Sequence, residues 1–316
     1  MIVGGGKKGG WMGLRILDGG LGTELASRGC DISDSLWSAR VLLEQPEVIE
    51  GVHFDYLRAG AECITTASYQ VSFQGFARAG LGREETIRAL RESVAVARRA
   101  RGRFQAAQPH GRVPLIAASV GPYGASLGDG SEYHGNYNCS AAELLAFHEE
   151  RLNVLIETRP DILACETIPS WEEAEVILRV LRRHPGVPAW FSFTCRDALH
   201  TAHGEPLREC AQRLDPESVV AAIGVNCIAP HLAAPLISEI RAVSAKPVVV
   251  YPNSGQKWDA VQRCWRGDKA QTGIAALASQ WYAAGARWIG GCCGTRPEDI
   301  AGIRAALPRK LPQQAS

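Results

Sequence analysis

Eight short runs of apolar residues recur along the chain, and segments with the 3.6-residue period of an amphipathic helix separate most of them. The runs are continuously apolar rather than alternating, which is typical of parallel strands that are buried on both faces. We therefore predict eight strands, at residues 14–17, 62–69, 114–120, 162–164, 189–194, 219–226, 247–251 and 287–291.

Helices are predicted between these strands. The helical spacing of apolar residues among charged ones predicts helices at 46–60, 83–103, 207–214, 232–243 and 273–284. Three Ser/Thr-x-x-Glu sequences predict further helix starts of the capping-box type, at Ser140, Ser170 and Thr295. Pro297, two residues after Thr295, is typical of the first turn of a helix.

The alternation of strands and helices predicts an α/β fold, a single (β/α)8 TIM-type barrel that spans residues 14–308. The glycine-rich residues 1–13 are expected to form a flexible lead-in, and residues 309–316 a tail. A doubly wound open sheet is the competing architecture, and it would leave the first and last strands far apart. In a barrel these two strands are neighbours, and active sites lie at the carboxyl ends of the strands.

Composition narrows the classes of function. The chain has 316 residues, of which 46% are hydrophobic, so it can bury a large core, and its net charge of +1 suggests no nucleic-acid surface. No apolar run is long enough to span a bilayer, and the first 13 residues lack the apolar centre of a signal peptide. We therefore expect a cytoplasmic protein without nucleic-acid or membrane partners, whose ten cysteines are reduced.

Polar residues gather where the predicted strands end, on the face where a barrel would hold its active site. They are Asp18, Gln70, Glu166, Asn226, Cys227, Cys292 and Cys293. The last two are adjacent and lie in a glycine frame formed by Gly290, Gly291 and Gly294. Neighbouring side chains of a strand point to opposite faces, so this pair can serve one site only where the strand has ended and the backbone turns.

Thiolates from Cys227, Cys292 and Cys293 would hold one zinc ion and leave its fourth position open for a substrate. A sulfur-rich site suits a sulfur substrate, and a thiol bound there would be deprotonated and become a nucleophile. The spacing is not that of a structural zinc finger. The alternative interpretation is a buried or redox-active vicinal pair, with Cys227 unrelated to it.

Groups at the same face would bind the rest of an amino-acid substrate. Asp18 and Glu166 could bind an ammonium group, or else cap a helix or the end of the barrel. The backbone N–H groups of Gly19 and Gly20 could bind a carboxylate, because a helix is predicted to start around Thr23.

Further residues are assigned to this substrate site by their position. Trp37 could stabilise a cationic sulfonium by cation–π attraction, or pack in the core or in a lid. Gln70 and Asn226 are expected to contact substrate because each lies at the end of a predicted strand. The long polar loop at 121–137 is expected to form a lid over the site.

Several motifs together resemble the homocysteine S-methyltransferase family, and most of all its S-methylmethionine-dependent enzymes. They follow the family's order between about residues 14 and 307, at 18–25, 34–39, 66–70, 119–124, 165–167, 224–227, 251–255 and 290–293. The resemblance implies a zinc-containing, cobalamin-independent barrel that transfers a methyl group from S-methylmethionine to L-homocysteine, giving methionine. It also implies that Cys227, Cys292 and Cys293 are the zinc ligands, and that Asp18 and Glu166 bind homocysteine.

The resemblance leaves some alternatives open. The chain lacks a cobalamin domain and the C-terminal arm of the tetrameric betaine-dependent relatives, so a monomer is expected. S-adenosylmethionine could serve as the methyl donor, and selenocysteine or another thiol as the acceptor. A second class of function is a non-catalytic zinc- or thiol-binding barrel.

Overall fold

The computed structural model describes residues 11–32, 36, 38–255 and 273–308, together with the backbone of 257–259 and 264–266. In chain order the strands are β1 (Arg15–Ile16), β2 (Cys63–Thr65), β3 (Leu115–Val120), β4 (Ile162–Ile168), β5 (Ala189–Phe193), β6 (Val220–Asn226), β7 (Val248–Tyr251), β8 (Lys257–Asp259), β9 (Cys264–Arg266) and β10 (Ala286–Ile289).

The α-helices lie between these strands and after the last of them. They are α1 (Leu21–Ser27), α2 (Ser38–Glu44), α3 (Pro46–Arg58), α4 (Phe73–Arg78), α5 (Arg83–Ala107), α6 (Tyr123–Leu127), α7 (Ala141–Glu157), α8 (Trp171–Leu181), α9 (Leu207–Leu214), α10 (Ala233–Arg241), α11 (Ile274–Ala284) and α12 (Pro297–Ala306). Within the described residues, short 3-10 helices are also found at Ser131–Tyr133 and Pro230–Leu232. Ser140 and Ser170 cap α7 and α8 through their side chains, as predicted.

Eight parallel strands form the sheet, in the order β1-β10-β7-β6-β5-β4-β3-β2. Its two ends meet, because Leu17 forms a parallel bridge with Cys63 and the N–H of Asp18 donates to the carbonyl of Cys63 at 3.1 Å. The predicted barrel is therefore confirmed, and the open sheet is excluded. β8 and β9 form a separate antiparallel hairpin between β7 and α11, which the apolar pattern did not predict.

Large aromatic side chains fill the interior of the barrel. The indole rings of Trp190 and Trp288 meet edge to face, with their centroids 5.7 Å apart. Above them the hydroxyl of Tyr251 accepts the indole N–H of Trp190 at 3.0 Å and lies 2.6 Å from the hydroxyl of Ser192. This stack forms the floor of the site at the carboxyl ends of the strands, so the position of that floor is set by tight packing.

The predicted capping box of Thr295 and Glu298 is wrong. α12 begins at Pro297, and the carboxylate of Asp299 accepts the backbone N–H of Arg296 at 2.9 Å. The buried hydroxyl of Thr295 instead donates to the carbonyl of Cys292 at 2.6 Å. Thr295 therefore stabilises the turn that follows β10 rather than the start of the helix.

None of the helices in the described part of the chain is long and apolar enough to cross a bilayer.

Candidate metal centre and substrate cavity

Three cysteine sulfurs meet at the carboxyl ends of β6 and β10. The Sγ atoms of Cys227, Cys292 and Cys293 all lie within 4.8 Å of one another. Cys293 Sγ is 3.8 Å from Cys227 Sγ and 3.9 Å from Cys292 Sγ. Among the described residues no other group of three or more His, Cys, Asp or Glu side chains has this arrangement.

The sulfur triangle has the dimensions of a metal site. Four ligands at about 2.3 Å around a tetrahedral ion lie about 3.8 Å from one another, which matches the two measured separations. Hydrogen bonds from the thiols of Cys292 and Cys293 lower the pKa of Cys227 well below its usual value. The same hydrogen bonds raise the pKa of Cys292 and Cys293, so without a metal the cluster favours a single thiolate, at Cys227. The thiolate is the form in which cysteine binds a metal.

The turn after β10 aims both adjacent cysteines at the same centre. Gly294 adopts a left-handed conformation, with φ +79°, which lets the backbone reverse after Cys293. The N–H of Cys292 donates to the carbonyl of Pro252 at 2.8 Å, and the carbonyl of Cys293 accepts the N–H of Ser254 at 2.8 Å. Backbone hydrogen bonds to the loop after β7 therefore hold the pair in place.

Cys227 reaches the centre through an uncommon backbone conformation, with φ +53° directly after β6. The preceding residue, Asn226, is fully buried and does not line the cavity. Its amide oxygen accepts the N–H of Thr167 at 2.7 Å, and its amide nitrogen donates to the Thr167 hydroxyl at 2.8 Å. Thr167 itself has φ +58°. Asn226 therefore fixes a strained turn beside the cavity, and both of its polar side-chain atoms bind Thr167.

A cavity of about 610 Å³ opens above the cysteines, which is within the usual range for small-molecule sites. Asp18, Gly19, Gly20, Gln70 and Glu166 all line it together with the three sulfurs. The site residues proposed from the sequence thus share one cavity, apart from Asn226 and from Trp37, which lies outside the described residues.

Asp18 and Glu166 are buried carboxylates on the wall of this cavity. Asp18 accepts the N–H of Thr65 at 2.7 Å and its hydroxyl at 3.1 Å, while Glu166 is bound by the hydroxyls of Ser119 and Tyr251. Burial raises the pKa of each carboxyl to about 7. No lysine, arginine or histidine is among the described lining residues to balance these groups, and a substrate cation would supply the countercharge.

Of the two glycines after β1, Gly20 does not act as the sequence suggested. The N–H of Gly20 already donates to the hydroxyl of Thr295 at 3.1 Å, so it is not open to a carboxylate. A Cβ on Gly19 would lie 2.8 Å from that hydroxyl oxygen, and one on Gly20 would lie 2.7 Å from the carbonyl oxygen of Cys292. Their role is to let β1 pack closely against the cysteine turn.

Sequence comparisons agree with this geometry. The family model for homocysteine S-methyltransferases matches residues 15–307. The chain belongs to the homocysteine S-methyltransferase family. It is 47% identical over 302 residues to homocysteine S-methyltransferase YbgG of Bacillus subtilis, covering 94% of this chain and 95% of that one. It is 46% identical over 294 residues to the Escherichia coli homocysteine S-methyltransferase, covering 92% and 94%.

A solved structure of the family has the same fold. The metallated form of the homocysteine methyltransferase MmuM from Escherichia coli superposes with a TM-score of 0.85 at 44% identity, covering 93% of this chain and 96% of that one. The resemblance seen in the sequence is therefore confirmed, and the chain is a member of a methyltransferase family whose relatives include a metal-containing protein.

The cavity has a further wall, which we call the 121–137 segment. It contains α6 and the 3-10 helix Ser131–Tyr133, and it brings Glu132 and Tyr133 to the cavity. The hydroxyl of Tyr133 lies 3.4 Å from Cys227 Sγ. The sequence identified this polar loop as a lid but assigned neither residue to the site.

Buried polar residues of α7 and α8 hold the 121–137 segment. The guanidinium of Arg151 donates to the carbonyl of Gly121 at 2.9 Å. The carboxylate of Glu173 accepts the N–H of Tyr123 at 2.5 Å and the hydroxyl of Tyr137 at 2.9 Å, and it lies 2.7 Å from His148 Nε2. The segment is therefore anchored at both ends, as a preorganised wall requires.

We expect Glu173→Gln to lower the free energy of unfolding by about 2–4 kcal/mol, because an amide cannot accept from all three buried donors. Glu172→Gln removes the same charge from an exposed neighbouring position and is expected to be neutral. Urea unfolding of both variants measures their free energies of unfolding. Equal stability of the two would show that Glu173 does not hold the segment.

Proposed function

We propose that the protein transfers a methyl group from S-methylmethionine to the sulfur of L-homocysteine, using zinc held by Cys227, Cys292 and Cys293. The observation that carries the proposal is the sulfur triangle at the base of an acidic cavity, in a chain of this family. The homocysteine sulfur attacks the methyl carbon, and the bond from that carbon to the sulfonium breaks. The bonding pair returns to the donor sulfur, so both substrates end as methionine, and the thiol proton leaves to solvent.

Zinc, when bound, lowers the pKa of a substrate thiol so that it reacts as a thiolate at neutral pH. The residues of the chain would orient the substrates and select them. The carboxylates of Asp18 and Glu166 would bind the ammonium group of homocysteine, because both are buried, line the cavity and have no basic residue among the described lining residues. Holding the ammonium at one end and the sulfur at the other would orient the nucleophile for in-line attack.

The compartment and the assembly state are part of the proposal. The three ligand sulfurs must stay reduced, which favours the cytoplasm, and all nine described cysteines are free thiols. We propose an active monomer, because one chain supplies all three thiol ligands and both carboxyl groups of the proposed site.

A labelled-methyl assay tests the proposed function. Zinc-loaded enzyme is incubated with L-homocysteine and S-methylmethionine that carries a deuterated methyl group, and the methionine formed is analysed by mass spectrometry. We expect deuterated and unlabelled methionine to form in equal amounts. Parallel reactions with S-adenosylmethionine as donor, or selenocysteine as acceptor, define the preference. Tight zinc binding with no methyl transfer from any sulfonium would instead favour a binding protein.

A further inference from the structure

The acidic and basic side chains that line the described part of the cavity are all of one sign. Its described lining includes four acidic residues, Asp18, Asp31, Glu132 and Glu166, and no lysine, arginine or histidine. Two of these, Asp18 and Glu166, are assigned to the ammonium group of the acceptor under the proposed function. Glu132 is a further buried acid, with no cation among the described lining residues to balance it.

Glu132 is a buried acid at the cavity and not a solvated surface charge. It is 5% exposed, and its Oε2 atom has no hydrogen-bond partner among the described residues. Gln70, on the same cavity, is also 5% exposed, and its Oε1 is likewise unpartnered within the described structure. A buried polar oxygen without a donor is costly, and these two oxygens belong to residues that line the same cavity. Together with the carboxyl group of Glu132 they indicate a ligand that bears positive charge.

The local backbone fixes where Glu132 lies. Asp129 accepts the N–H of Ser131 at 2.9 Å and also binds its hydroxyl, which starts the 3-10 helix that carries Glu132. That helix packs so closely on α6 that a Cβ on Gly124 would lie 2.4 Å from the backbone nitrogen of Glu132. Backbone packing thus fixes the position from which the Glu132 side chain extends.

Glu132 lies near the metal centre, and this position indicates which positive group of the methyl donor it would bind. The next residue, Tyr133, lies against Cys227, and negative charge on Cys227 contributes to raising the pKa of Glu132, after burial. In methyl transfer the donor sulfonium must lie near the metal-bound sulfur, whereas the donor ammonium lies farther along its chain. The positive group nearest Glu132 would therefore be the sulfonium.

We propose that Glu132, assisted by the carbonyl oxygen of Gln70, binds the sulfonium of the methyl donor. This assignment rests on the proposed function, since it names the donor-recognising residue of the same site. The carboxylate attracts the sulfonium of the reactant but not the neutral thioether that leaves. It therefore favours binding of the donor over the product and contributes little to the rate once the donor is bound.

Steady-state kinetics test the assignment in Glu132→Gln. We expect the KM for S-methylmethionine to rise about tenfold or more, with kcat within about twofold of wild type. The KM for homocysteine and the zinc content should not change. Glu172→Gln, which removes an exposed charge, is the matched control. A rise in the KM for homocysteine with an unchanged donor KM would overturn the proposal.

Equilibrium binding separates the sulfonium from the ammonium and does not depend on turnover. Calorimetry compares S-methylmethionine with 2-amino-5-methylhexanoic acid, which has the same shape and ammonium group but no positive charge at the sulfur position. Wild type should prefer the sulfonium, and Glu132→Gln should lose most of that preference. Retention of the preference, or an equal loss of affinity for both probes, would contradict the assignment. If wild type transfers no methyl group, the proposed function fails. The ratio of the affinities for the two probes would still show whether Glu132 recognises the sulfonium charge.

Discussion

Replacing Cys293 with serine is expected to abolish metal binding and to lower kcat/KM for methyl transfer by about three orders of magnitude or more. Serine keeps the shape of the side chain, but its hydroxyl does not ionise near neutral pH, so two thiolates remain instead of three. Cys227→Ser is expected to behave in the same way, because its sulfur is 3.8 Å from that of Cys293.

The control for this experiment is Cys139→Ser. Cys139 is half-buried and does not line the cavity, so its variant should keep both metal and activity. Metal content is measured by inductively coupled plasma mass spectrometry, and initial rates are measured with both substrates varied. A Cys293→Ser enzyme with a full complement of zinc and wild-type rates would remove Cys293 from the ligand set.

The barrel could be predicted from sequence because each buried parallel strand leaves a continuous apolar run of its own. The small helices could not. α2, α4 and α6 have 7, 6 and 5 residues, too few turns for a 3.6-residue period to repeat. The second strand was predicted to end at residue 69 but ends at Thr65, because the buried residues that follow it form a turn.

Strand-end position predicts which residues approach the site but not where their side chains point. The same rule selected Asp18 and Asn226, yet Asp18 lines the cavity while both ends of the Asn226 amide bind Thr167. The N–H of Gly20 is used by a hydroxyl 275 residues away in sequence. Such pairings depend on tertiary packing, and a local sequence pattern does not contain them.

Glu132 shows a different limit of prediction from sequence. Its polar loop was identified from sequence, but a loop rich in charges is usually solvated. The loop becomes a cavity wall because Arg151 and Glu173, from two later helices, bind its backbone and side chains. The capping box of α8 pointed to Glu173 as a local cap, whereas its carboxylate anchors this wall.

Asp18→Asn and Glu166→Gln are each expected to raise the KM for L-homocysteine by about 10- to 100-fold with metal content unchanged. Each substitution removes one buried negative charge that would pair with the substrate ammonium. Both residues already accept hydrogen bonds from hydroxyl groups, so the polar replacements should keep the local structure. An unchanged KM for homocysteine in both variants would remove these carboxylates from the ammonium site.

The same two groups should make the substrate-free enzyme less stable as the pH rises. Burial raises the pKa of both carboxyls to about 7, so between about pH 4 and pH 7 the folded chain holds protons that the unfolded chain has released. The free energy of unfolding therefore falls through this window, by about 1–3 kcal/mol for each group. Asn and Gln do not titrate, so variants with these residues do not lose this part of the free energy of unfolding as the pH rises.

The Asp18→Asn/Glu166→Gln double variant is thus expected to be more stable than wild type at pH 8 and to lose most of that advantage at pH 5. Urea unfolding of the zinc-loaded, substrate-free proteins at both pH values provides the comparison, and titrations shared by the two proteins cancel in the difference. A carboxylate kept for structure would destabilise the fold when neutralised. A gain of stability at pH 8 together with lost affinity for homocysteine instead identifies charges that are buried for the substrate, because the ammonium group supplies the missing countercharge only when it binds.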